Sequence, residues 1–130
     1  MPRPEVVNVE NVGRLPAFSH ATVAQGLIFV SGTLGTEPGS FQLVDGGTGP
    51  ETAQTLRNIA RILDGAGASL ADVAKVNIFL SDMSTFAEMN AAYLDFFEGD
   101  PPARITVGCA GLALDAAVEI DCIAVKPDEG

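Results

Sequence analysis

Residues 50–80, PETAQTLRNIARILDGAGASLADVAKVNIFL, change from a helical pattern to an extended one. Apolar residues first recur every three or four positions, which predicts an amphipathic helix; they are Ala53, Leu56, Ile59, Ala60 and Leu63. Pro50 suits the first turn of this helix, and Gly65 with Gly67 supplies its stop. Residues 73–80 then form a largely apolar run of strand length. A helix that leads directly into such a strand predicts helices packed on a sheet.

Five further strands and one further helix are predicted on either side of this stretch. The additional strand candidates are residues 6–9, 21–24, 27–32, 104–110 and 117–125. Gln25-Gly26 predicts a hairpin turn between two of them, because Gly accepts a positive φ. Residues 35–49 are rich in Gly, Pro, Ser and Asp, which predicts a long surface loop with little core content. The second helix follows a cap at Asp82, Ser84 or Thr85, and its apolar stripe is Phe86, Met89, Tyr93 and Phe96 or Phe97.

The element order β, β-β, α, β, α, β-β predicts an α+β fold in a single domain over residues 1–130. About six strands form one mixed sheet. Right-handed crossovers place both helices on one face of this sheet, which gives a two-layer sandwich. The opposite face is then bare, and its apolar side chains imply burial against other copies of the chain. We therefore expect an oligomer, with sites possible between subunits.

Charge and composition disfavour several classes of function. The 130 residues include 7 Lys and Arg against 17 Asp and Glu, for a net charge of −10. Proteins that bind nucleic acid or anionic membranes draw affinity from basic residues, so neither partner is expected. No apolar run approaches the roughly 20 residues of a membrane helix. The bulk charge would repel a small anionic substrate, so a local Arg must hold one.

Histidine and cysteine are scarce. One His and two Cys leave few ligands for zinc, so no metal site is predicted. A Ser-His-Asp triad would have to include His20, and we do not favour one. Two Cys do not make a disulfide framework, and the first five residues do not resemble a signal peptide. These features predict a cytoplasmic protein with two buried thiols.

Arg104 is the first candidate for chemistry, since it follows Pro101-Pro102 and opens an apolar strand. It could form a structural ion pair, or its side chain could cover apolar surface while the guanidinium reaches solvent. It could also be a clamp for a substrate carboxylate, which the planar guanidinium matches with two parallel hydrogen bonds.

Glu119 and Asp121 are the second candidates, because a period of two puts them on one face of the last strand. They could be solvated acids on an exposed surface. Their face also carries Ile123 and Val125, and a carboxylate among apolar neighbours has its charged form disfavoured. Such a Glu can transfer protons near neutral pH.

Four further residues are weaker candidates: Phe18, Ser31, Gly32 and Asn90. Ser31-Gly32 interrupts an apolar strand, which indicates a bulge or a close approach of a ligand to the backbone. Phe18 lies just before the second strand. Asn90 lies among apolar residues of the second helix, where a structural amide and a ligand-binding amide are equally plausible.

Short motifs occur in a definite order along most of the chain: PAFSHA at residues 16–21, FVSGT at 29–33, AGASLADVAKV at 66–76, NAAY at 90–93, PAR at 102–104 and VEI at 118–120. Thr52, Gln54 and Asn58 lie between them on the first helix. This combination resembles the RidA/YjgF family of enamine/imine deaminases over about residues 16–125. The motifs are specific together and weak singly.

The resemblance implies a chorismate-mutase-like fold, a homotrimer with three clefts between subunits, and no cofactor. By resemblance, Arg104 holds the carboxylate of a 2-imino or 2-amino-enoic acid, and Glu119 activates water and shuttles protons. Groups at Ser31, Gly32 and Thr106 contact the substrate. Phe18 and Asn90 line the cleft.

Two positions depart from the family pattern. Phe18 stands where a Tyr is common, which removes a hydroxyl, and Thr106 stands where a Cys is frequent. The branch that breaks down aminoacrylate in pyrimidine catabolism is also similar, so a 2-aminoacrylate-like substrate is expected. The alternatives are another enamine such as 2-aminomuconate, or a non-catalytic trimer that binds small carboxylates or acts like a chaperone.

Overall fold

The structure is a computed structural model that describes residues 3–128. Six strands form one sheet in the order β1-β2-β3-β6-β4-β5. The strands are β1 (Glu5–Val7), β2 (Ala21–Ala24), β3 (Leu27–Thr33), β4 (Val73–Leu80), β5 (Ala103–Gly108) and β6 (Val118–Val125), and the helices are α1 (Thr48–Gly65) and α2 (Phe86–Leu94). The predicted α+β sandwich with a mixed sheet of six strands is confirmed.

Both helices are crossovers, as predicted. β4 runs parallel to β5, and α2 connects them. β6 is antiparallel to both β3 and β4 and lies between them, so β3 and β4 run in the same direction with α1 as their connection. The hairpin between β2 and β3 also forms, with φ of 54° at Gln25 and 74° at Gly26. Across the described part of the chain, neither helix has the length and hydropathy needed to cross a bilayer.

The core lies between the sheet and the helices. Alternate residues of the central strands face it, as the period of two requires. Its largest fully buried side chains include Tyr93 from α2, Ile28 from β3, Leu56 and Ile59 from α1, Ile78 and Leu80 from β4, and Ile120 from β6.

The opposite face of the sheet carries exposed apolar side chains. Phe29 is 40% exposed, Ile105 51% and Val107 37%. Asn77 and Asp121 lie on the same face, where the Asn77 amide donates to the Asp121 carboxylate at 2.7 Å. Neither helix packs on this face, which is the bare face expected from the sequence.

Helix α1 differs from its prediction in both its start and its buried face. It begins at Thr48 rather than Pro50. Ala53 and Ala60 are only partly buried. Ile62 is buried instead, and so are six polar residues: Thr48, Glu51, Thr52, Gln54, Thr55 and Asn58.

The buried polar face exists because the loop after β3 packs against α1. The Asn58 amide donates to the carbonyl oxygens of Leu34 and Thr36, at 3.0 Å each. Gly35 and Thr36 are therefore buried, and the prediction that residues 35–49 contribute little to the core was wrong at their start.

Two strands end earlier than predicted. β1 stops at Val7 rather than Val9, because the Val9 N–H donates to Nδ1 of His20 at 3.0 Å instead of to a strand. β5 stops at Gly108, the last residue that pairs with β4, rather than at residue 110.

Candidate active site

Glu119 is held over a bulge in the neighbouring strand. Val30 pairs with Cys122 and Thr33 with Ile120, so Ser31 and Gly32 together oppose one residue of β6. This two-against-one arrangement is a β-bulge, which bends the strand and re-aims side chains. The bulge predicted at Gly32 is confirmed, and it lies beside the Glu119 carboxylate.

Gly32 leaves the space that this carboxylate occupies. A methyl group at residue 32 would collide with Oε2 of Glu119 and lie 3.1 Å from its carboxyl carbon. Burial raises the pKa of Glu119, and the like charge of Asp121 raises it further. A carboxyl group with this shift is better able to exchange protons near neutral pH than a solvated one.

A cavity of about 200 Å³ opens next to Glu119 on this side of the sheet. Ser31, Gly32 and Phe18 line it, so four of the predicted site residues surround one space. Most of the remaining wall is apolar, with Val12, Leu15, Leu34, Phe41, Ala113 and Leu114. We call this space and its lining the Glu119 half-site.

The wall of the Glu119 half-site is fixed by His20 and Ser31. The Ser31 hydroxyl donates to the Ser19 carbonyl at 2.6 Å, and the Ser31 N–H donates to the His20 carbonyl at 2.9 Å. Nδ1 of His20 accepts the Val9 N–H, and Nε2 lies 3.2 Å from the Gly13 carbonyl. Since a carbonyl only accepts, Nε2 carries the proton and the ring is a structural crosslink.

Arg104 lies on the other face of the sheet, against α2. Its guanidinium carbon is 4.8 Å from the centre of the Tyr93 ring and 5.6 Å from that of Phe86. One of its nitrogens donates to the Asn90 amide oxygen at 2.8 Å. Aromatic stacking and this hydrogen bond hold the guanidinium in place, and most of its five N–H donors have no partner within residues 3–128.

Two buried hydroxyls near Arg104 lack partners within residues 3–128. They are Oγ1 of Thr106 and the phenol of Tyr93. Thr106 is two residues after Arg104 on β5 and therefore on the same face. Burial raises the pKa of Tyr93, which keeps this phenol neutral. Arg104, Asn90, Thr106 and Tyr93 form the Arg104 half-site, in which residues 3–128 leave two hydroxyls without a hydrogen-bond partner and give the guanidinium one, the Asn90 amide oxygen.

The two half-sites do not meet within one chain. Arg104 pairs with Val76, and Val76 pairs with Cys122, so all three side chains lie on the core face of the sheet. Glu119 is three residues before Cys122 on the same strand and therefore lies on the opposite face. At about 3.3 Å per residue and about 4.8 Å per strand, the two Cα atoms are roughly 14 Å apart. Within one chain, the sheet itself separates the guanidinium from the carboxylate.

Comparisons with known proteins identify the family. The family model described as Endoribonuclease L-PSP matches residues 11–126. The crystal structure of RidA from the Antarctic bacterium Psychrobacter sp. PAMC 21119 superposes with a TM-score of 0.88 at 30% identity, and the match covers 93% of this chain and 98% of that one. The chain belongs to the RidA/YjgF family. A rat protein named 2-iminobutanoate/2-iminopropanoate deaminase is 38% identical over 110 residues, which are 85% of this chain and 80% of its own.

The RidA/YjgF fold extends over nearly the whole chain. The crystal structure of YEO7_yeast superposes with a TM-score of 0.91 at 35% identity, and the match covers 96% of this chain and all of that one. The resemblance noted in the sequence motifs is therefore confirmed at the level of family and fold.

Sequence reasoning missed several residues of the two half-sites. The sequence pattern places Tyr93 and Phe86 in a core stripe. The spacing of three between Asn90 and Tyr93 nevertheless puts these two residues on one face of α2, and both contact Arg104. Nothing in the sequence pointed to Leu114 or Phe41.

The prediction of two buried thiols holds for one of them. Cys122 is buried, and burial raises its pKa to about 12, but Cys109 is only half-buried. Residues 3–128 contain no group of three His, Cys, Asp or Glu arranged to hold a metal.

Proposed function

We propose that the protein hydrolyses 2-imino acids and their 2-enamino tautomers, of the 2-aminoacrylate type, to 2-keto acids and ammonia. The observation that carries this proposal is the pair of complementary half-sites. One offers a stacked guanidinium with free donors, and the other a carboxylate with a raised pKa over a bulge. The deaminase names of the relatives support the same chemistry.

Arg104 orients the substrate in this mechanism. Its fork binds the substrate carboxylate with two parallel hydrogen bonds, and Asn90 keeps the fork in position. The hydroxyl of Thr106, which lacks a partner in the described chain, would gain one from the bound substrate. Orientation of this kind removes part of the entropic barrier to the attack of water.

Glu119 moves the protons. It accepts a proton from water as the oxygen adds to the imine carbon, and it passes this proton to the imine nitrogen. Glu119 then takes the hydroxyl proton of the carbinolamine. The C=O bond forms as the C–N bond breaks, and Glu119 delivers that proton to the departing nitrogen, which leaves as ammonia. One water is consumed and one ammonia is released, with no change of oxidation state and no cofactor.

The site would lie between two copies of the chain. The imine carbon is bonded directly to the substrate carboxylate, so Arg104 and Glu119 must act within one small molecule of each other. They cannot do so across the sheet of a single chain. The exposed apolar face with Phe29, Ile105 and Val107 supports association, and we propose a homotrimer with three such clefts.

Two other functions remain as alternatives. Phe18 lacks the hydroxyl that is common in the family, which leaves a trimer that binds small carboxylates without turnover, or a deaminase for a different enamine such as 2-aminomuconate. RNA cleavage, which the family description mentions, has less support. The single His is engaged through both ring nitrogens, and the charge of −10 opposes binding of a polyanion.

The test generates 2-aminoacrylate from serine with an amino-acid dehydratase and follows the loss of the imine. We expect Arg104→Ala and Glu119→Gln each to lower kcat/KM by at least about 100-fold, the usual range of acid–base and positioning effects. The matched control is Arg57→Ala, since the Arg57 guanidinium also lies over a ring, 5.7 Å from that of Phe96. Consumption of the imine at the spontaneous rate by the wild type would refute the deaminase. A binding protein without turnover would instead bind 2-ketobutyrate, measured by calorimetry, and Arg104→Ala would abolish this binding.

A further inference from the structure

The cavity beside Glu119 is larger and more apolar than hydrolysis of a small imine requires. Its volume of about 200 Å³ is several times the roughly 30 Å³ that a water molecule takes up in the liquid. The imine of alanine carries only a methyl group and would leave most of this space empty. Concave apolar spaces with a few polar groups at one end are typical of ligand pockets.

Exposed apolar side chains converge on this cavity from separate parts of the chain. Leu15 is 54% exposed, Phe18 39%, Phe41 51% and Leu114 47%. Single exposed apolar residues are common on protein surfaces, but a contiguous group around one concavity marks a binding site. These four residues form an apolar rim, and Glu119 with Gly32 forms the polar end.

Leu114 is held in the rim against its backbone preference. Its φ is 59° and that of Asp115 is 58°, in the left-handed region that bulky residues rarely adopt. The turn is fixed on its far side by Glu51, a buried residue whose Oε1 accepts the Ala117 N–H at 2.9 Å. Residues that persist in such conformations are concentrated at ligand sites, where the surroundings determine them.

Phe41 is also brought to the rim by a specific close contact. A methyl group at Gly13 would lie 2.7 Å from the Ser40 carbonyl and 3.1 Å from the Phe41 ring. Gly13 therefore allows the loop that carries Phe41 to approach the segment that carries Leu15. Two loops and the turn at Leu114 are thus arranged around one apolar space.

We infer that this cavity receives the substrate side chain, so that the enzyme hydrolyses 2-imino acids with branched apolar side chains faster than imines of the 2-aminoacrylate type, which carry only a methyl group. The inference rests on the proposed function, because Glu119 places the imine carbon at the mouth of the cavity. Each methylene buried in an apolar pocket changes discrimination by about 10- to 200-fold. An open cavity belongs at the low end of that range.

The test compares imines that an L-amino-acid oxidase with catalase makes from L-leucine and from L-alanine. We expect kcat/KM for the leucine imine to exceed that for the alanine imine by at least about tenfold, each corrected for spontaneous hydrolysis. Phe41→Ala and Leu114→Ala should each lower this ratio by about three- to tenfold. Leu114→Gly removes the same side chain and suits the positive φ, so it tests the ratio in a fold without strain.

Leu94→Ala is the matched control, since Leu94 is 52% exposed at the end of α2 and does not line the cavity. It should leave the ratio at the wild-type value. Equal acceleration of both imines, with a ratio that the rim variants do not change, would overturn the side-chain pocket and keep the deaminase. Acceleration of neither imine would overturn both.

Discussion

The two half-sites are built in opposite ways. Arg104 lies between the sheet and α2, where two aromatic rings and the Asn90 amide fix its guanidinium. Glu119 lies on the uncovered face, over a glycine and beside an open cavity. The Arg104 half-site is complete in one chain, because its positioning groups all come from β5 and α2. No Lys or Arg of residues 3–128 lines the Glu119 half-site, and in the proposed mechanism the cation comes from another copy.

Under the proposed function, this difference explains how a chain with a net charge of −10 would hold an anionic substrate. The cation is stacked on rings and bonded to a neutral amide, so its charge remains available to a ligand. The carboxylate that moves protons is kept on the opposite face of the sheet, where it cannot pair with Arg104 of its own chain. In the proposed trimer, association of two copies would bring these charges together only where the substrate is bound.

Mixing two inactive variants gives the largest expected effect. Chains with Arg104→Ala lack one half-site and chains with Glu119→Gln lack the other. If each site uses Arg104 of one subunit and Glu119 of the next, a mixed trimer contains one intact site of its three. Random assembly from equal amounts makes three quarters of the trimers mixed, so activity should return to about one quarter of wild type.

The control for this experiment is the double variant Arg104→Ala with Glu119→Gln, mixed with wild type. In that mixture, a trimer with two wild-type chains and one double-variant chain has one intact site, and mixing creates no new intact site. A gain of activity on mixing is therefore expected only for the two single variants, where it depends on sites shared between subunits. Activity that stays at the level of the separate single variants, in trimers shown by mass to be mixed, would contradict the shared site.

Gly32→Ala should break the Glu119 half-site and leave the Arg104 half-site intact. The new methyl group would take the place of the Glu119 carboxylate, and the end of this flexible side chain would have to move. Misplacement by about 1 Å can cost about 100-fold in rate, so we expect kcat to fall about 10- to 100-fold. KM should change less, because Arg104 holds the carboxylate. Gly49→Ala is the control, since nothing lies within 4 Å of the added methyl group; equal losses in both variants would contradict the steric explanation.

Glu51→Ala tests how firmly the strand that carries Glu119 is anchored. The buried Glu51 carboxylate accepts the Ala117 N–H, and its loss leaves that donor unpaired. The free energy of unfolding should fall by about 1–3 kcal/mol, measured by urea denaturation. Glu88→Ala is the matched control, because Glu88 also lies in the first turn of a helix but is exposed. It should change stability by no more than about 0.5 kcal/mol, and an equal loss there would assign the effect to the helix terminus instead.

Much of this arrangement could be predicted from local pattern. The period of two in residues 118–125 correctly separated Glu119 and Asp121 from the buried face. The Gln25-Gly26 turn followed from the positive φ that glycine accepts, and the bulge at Gly32 from a glycine that interrupts an apolar strand. These features depend on neighbours in sequence, and a sequence displays them directly.

The parts that failed depend on contacts between distant segments. The face that Arg104 occupies is set by its pairing with Val76 and by α2, and the sequence does not show which strands pair. The buried polar face of α1 exists because the backbone of residues 34–36 supplies acceptors to Asn58. The left-handed Leu114 breaks the local preference of leucine, so no local rule could have predicted it.

The smallest expected effect concerns the charge next to Glu119. Burial raises the pKa of Glu119 above its usual value of 4.5, and Asp121 raises it further. Glu119 must be ionised to accept a proton from water, so kcat/KM should fall as pH drops through this pKa. Asp121→Asn removes the like charge and can still accept the Asn77 amide hydrogen. The pKa of Glu119 then falls, and the acid limb of the kcat/KM profile should move to lower pH. Asp100→Asn changes the net charge equally from an exposed position and should leave the limb where it is; an equal shift in both would mean that the bulk field, rather than the neighbouring carboxylate, sets the pKa of Glu119.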